Sequence, residues 1–169
     1  MALSVLIVMG SDSDLEQITP AWKVLEGLGV TYEVAVASAH RSPDRVVTLA
    51  RAARERGFGV VLAAAGGAAH LAGVIAAHTT LPVVAVPVVV GTLGGVDALL
   101  SAVQMPGGVP IASVGIGGAR NAGFFAAAIL SATDPELAAR LEAFRQEQAK
   151  NVAEADSRVQ AKLGRAASG

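Results

Sequence analysis

The sequence predicts an α/β protein: a three-layer αβα sandwich around a five-stranded parallel sheet, followed by an amphipathic C-terminal helix. Three observations carry that reading. Short runs rich in Val, Ile and Ala recur with helical stretches between them, the pattern of successive βα units. A length of 169 residues, at about 150 residues per domain, leaves room for one core. Finally, of 13 basic and 14 acidic residues, only Asp97 and Arg120 fall between positions 57 and 133, so the middle of the chain must be core, membrane or subunit interface.

The first strand is read at 3–9 and the first helix at 15–28, where Pro20 removes the donor to Glu16 and predicts a bend; Gly29 follows as a stop. A second strand at 31–36 leads to a helix at 43–56, with Ser42 as N-cap, Pro43 at the first helical position, Asp44 in the first turn and Gly57 behind. Strands at 60–65 and 83–88 alternate with helices at 68–78 and 96–105. The runs at 31–36, 60–65 and 83–88 are apolar on both faces, as strands covered by helices on both sides must be. The last strand is read at 110–116 and its helix at 121–132. Thr133-Asp134-Pro135-Glu136 then opens a tail helix over 134–162, whose Leu137, Leu141, Phe144 and Val152 fall at helical spacing and need a partner in their own domain or a neighbouring subunit. Residues 1–163, tail helix included, are expected to form a single catalytic domain, with 164–169 disordered.

Membrane is the first class to exclude, because 53% hydrophobic residues and a mean hydropathy of +0.54 are high. A spanning helix needs about 20 apolar residues in a row. Here His70, His78-Thr79-Thr80, Pro82, Pro87 and the glycines from Gly91 to Gly95 cut the apolar runs too short. Met1-Ala2-Leu3-Ser4 has no basic opening of a secretory signal, so a cytoplasmic protein is expected. The absence of cysteine excludes disulfides, thiolate nucleophiles and Cys-ligated metal. A net charge of −1 and 4% aromatic residues argue against a nucleic-acid partner.

Ligands of open parallel sheets bind outside the carboxyl ends of the strands, where strand order reverses. With a flavodoxin-like order 2-1-3-4-5, the loops after the first three strands would line one pocket. Gly10-Ser11-Asp12-Ser13-Asp14 offers backbone N–H groups and the hydroxyls of Ser11 and Ser13 to a phosphate. Its carboxylates repel phosphate, so one of them suits sugar hydroxyls, and Ser and Asp together suggest a ribose phosphate; the plainer reading is a βα turn with Asp14 as N-cap. In Ser38-Ala39-His40-Arg41-Ser42-Pro43, Arg41 can chelate phosphate through two parallel N–H bonds, and His40 can move a proton in both directions near neutral pH. A solvated surface loop is the plainer reading there. Gly66 to Ala69 has only backbone and small side chains, which would let a planar ring approach closely. His70 reads either as a site residue or as a histidine in the first turn of a helix, and His78 as a cation at a helix C-terminal end. No metal-ligand spacing and no Gly-x-x-x-x-Gly-Lys loop for ATP occurs, so no metal or cofactor is expected.

At these residues the sequence resembles the phosphoribosylaminoimidazole carboxylase catalytic subunit family, in its mutase branch. Met9–Asp14 (MGSDSD), Ser38–Pro43 (SAHRSP), Ala65–Leu71 (AGGAAHL), Leu81–Val88 (LPVVAVPV) and Val103–Pro110 (VQMPGGVP) occur in family order and spacing, across a match from about Val5 to Arg158. It departs from the family at Ala72, where proline is usual, in the Gly91–Gly95 loop and in a short Gly117–Arg120 segment. The resemblance implies isomerisation of N5-carboxyaminoimidazole ribonucleotide to 4-carboxy-5-aminoimidazole ribonucleotide without metal, ATP or organic cofactor. It implies His40 as catalytic acid/base, Ser11, Asp14 and Arg41 on the ribose phosphate, and a homo-octamer with pockets at subunit boundaries. Ser13, Ser38, Gly67, Ala68, Ala69, His70 and Leu71 complete the expected substrate contacts, with Ala68, Ala69 and Leu71 as an apolar wall for CO2. Two rival readings are direct carboxylation of aminoimidazole ribonucleotide and a flavodoxin-like module that binds a nucleotide or flavin without chemistry.

Overall fold

The computed structural model describes residues 3–164. Its elements run β1 (Ser4–Met9), α1 (Leu15–Gly27), β2 (Tyr32–Val36), α2 (Pro43–Ala52), β3 (Phe58–Gly66), α3 (Leu71–Ala76), β4 (Val83–Val88), α4 (Val96–Val103), β5 (Ala112–Ser113), α5 (Ala119–Ser131) and α6 (Pro135–Lys162). All strands pair in parallel, in the order β2-β1-β3-β4-β5. This is the expected three-layer sandwich with a long C-terminal helix.

Alternation along β1 divides the core. Val5, Ile7 and Met9 point into a layer with Ile18, Ala21 and Leu25 of α1, Ala122 and Ala126 of α5, and Leu137 of α6. Leu6 and Val8 point the other way, against Val46 and Ala50 of α2 and Leu71 and Ile75 of α3. Successive side chains leave a strand on opposite faces, so a strand buried on both sides must be apolar throughout. That holds for β1 after Ser4, for β3 and for β4. It fails for β2, where Tyr32, Glu33, Val34 and Val36 are exposed or half-buried, because β2 is an edge strand.

The remaining differences from expectation have local causes. The fifth strand shrinks to two residues. Ala85 and Pro87 both accept from that side, from Val114 N at 3.1 Å and Gly117 N at 3.0 Å, and Pro87 has no N–H to return. The helix expected at 68–78 begins only at Leu71, since Gly67 (φ +62°) and Ala69 (φ +39°) are left-handed and cannot belong to a helix. The helix expected at 43–56 ends at Ala52, and a turn carries the chain through Gly57 (φ +85°) into β3. Helix α1 runs unbroken through Pro20.

Asp134 caps α6 by accepting from Leu137 N at 2.9 Å. Leu137 is fully packed, Leu141 lies against the same core, and Phe144 meets Phe124 with ring centroids 4.5 Å apart. Val152, by contrast, is 70% exposed, so the helix serves its own domain only over its first turns. At 1.5 Å per residue its 28 residues extend for about 42 Å. Among the described residues no helix is long and apolar enough to cross a membrane. Residues 165–169, most of the expected disordered end, lie outside the described residues.

Helices α1 and α5 cross at Gly123, where a Cβ would stand 2.5 Å from Ala21 O and 3.0 Å from Val24 Cβ. The obstacle is backbone, which cannot turn aside as a side chain can. Gly123→Ala is therefore expected to separate the two helices and lower the unfolding free energy by about 1–3 kcal/mol, read as a lower urea midpoint. An unchanged midpoint would refute the tight crossing.

Candidate active site

The sheet order brings the loops after β1, β2 and β3 side by side. They enclose a cavity of about 430 Å³ lined by residues of all three loops and by Val90, which follows β4.

Each loop is held by its own polar side chains. After β1, Ser11 caps a short 3-10 turn (Asp12–Asp14): its hydroxyl accepts from Ser13 N at 3.3 Å, and the Ser13 hydroxyl lies 2.9 Å from it. Asp14 Oδ2 accepts from Ser11 N at 3.1 Å, closing the turn. Asp14 therefore occupies the N-cap position of α1 without capping it, its carboxylate folded back onto Ser11. Asp14 is the one buried charged residue among those described. Burial pushes its pKa above the usual aspartate value, opposed by the bonds from Ser11 and Ser13 and by the charge of Arg41. Asp12 stays outside the cavity wall, accepting from Ser13 N at 3.0 Å.

After β2, Ser42 Oγ accepts from Ser38 N at 2.9 Å and donates to Ser38 O at 3.3 Å, so its hydroxyl closes the loop instead of capping α2 as expected. Within that loop Arg41 reaches across to the first, donating from Nη2 to Gly10 O at 3.0 Å and from Nε to Ser38 Oγ at 3.4 Å. The guanidinium has five N–H donors, so three remain for a ligand. His40 Nε2 lies 2.9 Å from His70 Nδ1, the rings edge-on at 4.9 Å. One nitrogen must donate and the other accept, so a single proton lies between the rings.

After β3 the chain turns sharply. Ala69 N donates to Gly66 O at 3.3 Å, and the turn delivers Ala69, His70 and Leu71 to the cavity. Gly67 and Ala68 do not line it: Gly67 occupies the left-handed bend and Ala68 is exposed. Of the expected site residues, Ser11, Ser13, Asp14, Ser38, His40, Arg41, Ala69, His70 and Leu71 thus meet in one place. Gly10, Ala39, Ala65, Gly66 and Val90 join them. Val90 was legible in principle, since the end of β4 is next in the sheet, but its loop carries no chemical side chain. His78 lies elsewhere, in a cavity with Arg51, Arg54 and Thr80. Among the described residues no three His, Cys, Asp or Glu side chains converge as metal ligands.

The cavity is chemically mixed. Its wall carries hydroxyls, the free guanidinium donors and a carboxylate, a set that fits a sugar phosphate, together with the apolar Ala39, Ala65, Ala69, Leu71 and Val90, and the histidine pair lies in the same cavity.

Comparison with known proteins agrees. The family described as AIR carboxylase matches residues 4–151. An N5-carboxyaminoimidazole ribonucleotide mutase of Thermotoga maritima is 49% identical over 154 residues, covering 91% of this chain and 90% of its own. One from Bacillus subtilis is 52% identical over 155 residues, covering 90% and 96%. The crystal structure of Treponema denticola PurE superposes with a TM-score of 0.83 at 26% identity, over 92% of this chain and 98% of that one. With its fold and most of its length shared, the chain belongs to the AIR carboxylase family.

Proposed function

We propose that this chain is an N5-carboxyaminoimidazole ribonucleotide mutase acting in the cytoplasm, an isomerase of purine biosynthesis, with residues 1–163 forming its single catalytic domain. The observation that supports the proposal is one cavity lined by hydroxyls and a guanidinium suited to a phosphate, by apolar residues and by a histidine pair. The mutase names of relatives about half identical along most of the chain supply the substrate.

The ribose phosphate binds Arg41 and the hydroxyls of Ser11, Ser13 and Ser38, with Asp14 accepting from a sugar hydroxyl. That anchor places the aminoimidazole ring beside His40 and His70. His40 donates a proton to the carbamate nitrogen; the N–C bond breaks, its electron pair stays on nitrogen, and CO2 is freed. The electron-rich ring carbon C4 then attacks the same CO2. His40 recovers a proton from C4, which restores the aromatic ring and resets the enzyme. Atoms and charge balance without a cofactor. CO2 is small and uncharged, so what retains it is an apolar wall with little water. Ala69 and Leu71 supply that wall together with Ala65 and Val90, while Ala68, outside the cavity, does not.

The surface favours assembly. Val96, Leu100 and Val103, at helical spacing along α4, are exposed, as are Val89 and Leu93 in the segment before it. Apolar area of this kind is rare on monomers. Together with Val152 and Val159 on α6, it supports the homo-octamer that the family resemblance implies.

Three outcomes test the proposal. His40→Asn should lower turnover of the ribonucleotide, in buffer free of metal and ATP, by at least about 100-fold with the fold intact; retained activity would remove His40 from the mechanism. Arg41→Lys keeps the charge and loses the planar fork, so KM should rise with little change in kcat, and an unchanged KM would place the phosphate elsewhere. Light scattering should report a mass near eight times 16.9 kDa, and an active monomer would refute the assembly.

A further inference from the structure

The segment between β4 and α4 has no regular structure, and Gly91, Gly94 and Gly95 adopt φ of +70°, +61° and +87°. Such a stretch has little of its own to fix it. Its start is nevertheless held twice. The side-chain amide of Gln17, on α1, donates from Nε2 to Val89 O at 3.1 Å and accepts from Val89 N through Oε1 at 2.9 Å. These are the two bonds a neighbouring strand would make to that residue, supplied where β5 no longer runs alongside. The next residue, Val90, then rests on Gly66: a Cβ on Gly66 would stand 3.0 Å from Val90 Cβ and collide with its Cγ2. Val90 is 48% exposed, so burial in its own subunit does little to hold it. It is also the one apolar wall residue that comes from this irregular segment.

We propose that Gln17 is a positioning residue: its amide clamps Val89 so that Val90 closes the apolar part of the cavity wall against escape of CO2. The inference rests on the reading above, in which CO2 is freed and recaptured in place. The clamp takes no part in the proton transfers or in phosphate binding, so its loss should affect the fate of CO2 more than the affinity for substrate.

The test uses substrate carrying ¹³C in its carboxylate, turned over by the full chain in excess unlabelled bicarbonate. The wild type should pass the label to product. Gln17→Leu keeps the size of the side chain and removes both bonds; the fraction of turnovers losing label should rise by about tenfold, the scale of two hydrogen bonds, with KM little changed. Val90→Ala leaves the clamp and opens the wall, and should lose label likewise; if Gln17→Leu does not fold, Gln17→Glu, which keeps an acceptor for Val89 N and removes the donor to Val89 O, decides in its place. Label retained by the variants as in the wild type, even with a lower Tm, would overturn the clamp while leaving the mechanism standing. Label lost by the wild type itself would overturn the trapped CO2 and the clamp together.

Discussion

Parallel pairing of β1 with β2 on one side and β3 on the other is the constraint on which the rest of the molecule depends. Met9 is in register with Val36 and with Ala64, so three strands reach the same level before their loops begin. Parallel strands need crossovers, and the helices that make them seal both faces. Both faces of β1 are therefore dry, and its loop is the middle of three that must share one space. A slip of one residue would turn Ile7 and Met9 into the layer of Leu6 and Val8 and displace Gly10 from Arg41.

The site is stiff where it binds and soft where it encloses. Ser11, Asp14, Ser38 and Ser42 satisfy one another or nearby backbone, and Arg41 ties the second loop to Gly10. Each of these loops is therefore fixed by bonds of its own, and Arg41 is held at two of its five N–H donors. Val90 has no such lattice around it: it belongs to a glycine-rich segment whose start leans on a single amide from α1.

Much of this was legible in the sequence for identifiable reasons. Apolar runs gave the strands, Asp134-Pro135 gave the start of α6, and His40-Arg41 at a strand end gave the centre of the site. What was hidden depends on geometry that residue type does not encode. Ala69 at a left-handed φ shortened α3 against its composition. Pro87 thinned β5 from the neighbouring strand, an influence no local pattern contains. Ser42 stands where an N-cap belongs, yet its hydroxyl found a closer partner in Ser38. Gly67 and Ala68 share a motif with Ala69 but leave the wall, because the left-handed bend that delivers Ala69, His70 and Leu71 to the cavity carries the two residues before them past it. Gln17 looks like an ordinary polar helix residue until Val89 is beside it.

The buried carboxylate of Asp14 sets a limit on how this enzyme can be hardened. Burial raises its pKa, so the folded chain holds that proton more tightly than the unfolded chain, and stability falls as pH rises through the interval between the two values. Burial and ionisation of this one group thus oppose each other, while its bond from Ser11 N favours the charged form. A neutral side chain there would escape the cost of burying a charge and give up the bond that closes the Ser11 turn, so any gain in robustness at this position is taken from the order of the loop after β1.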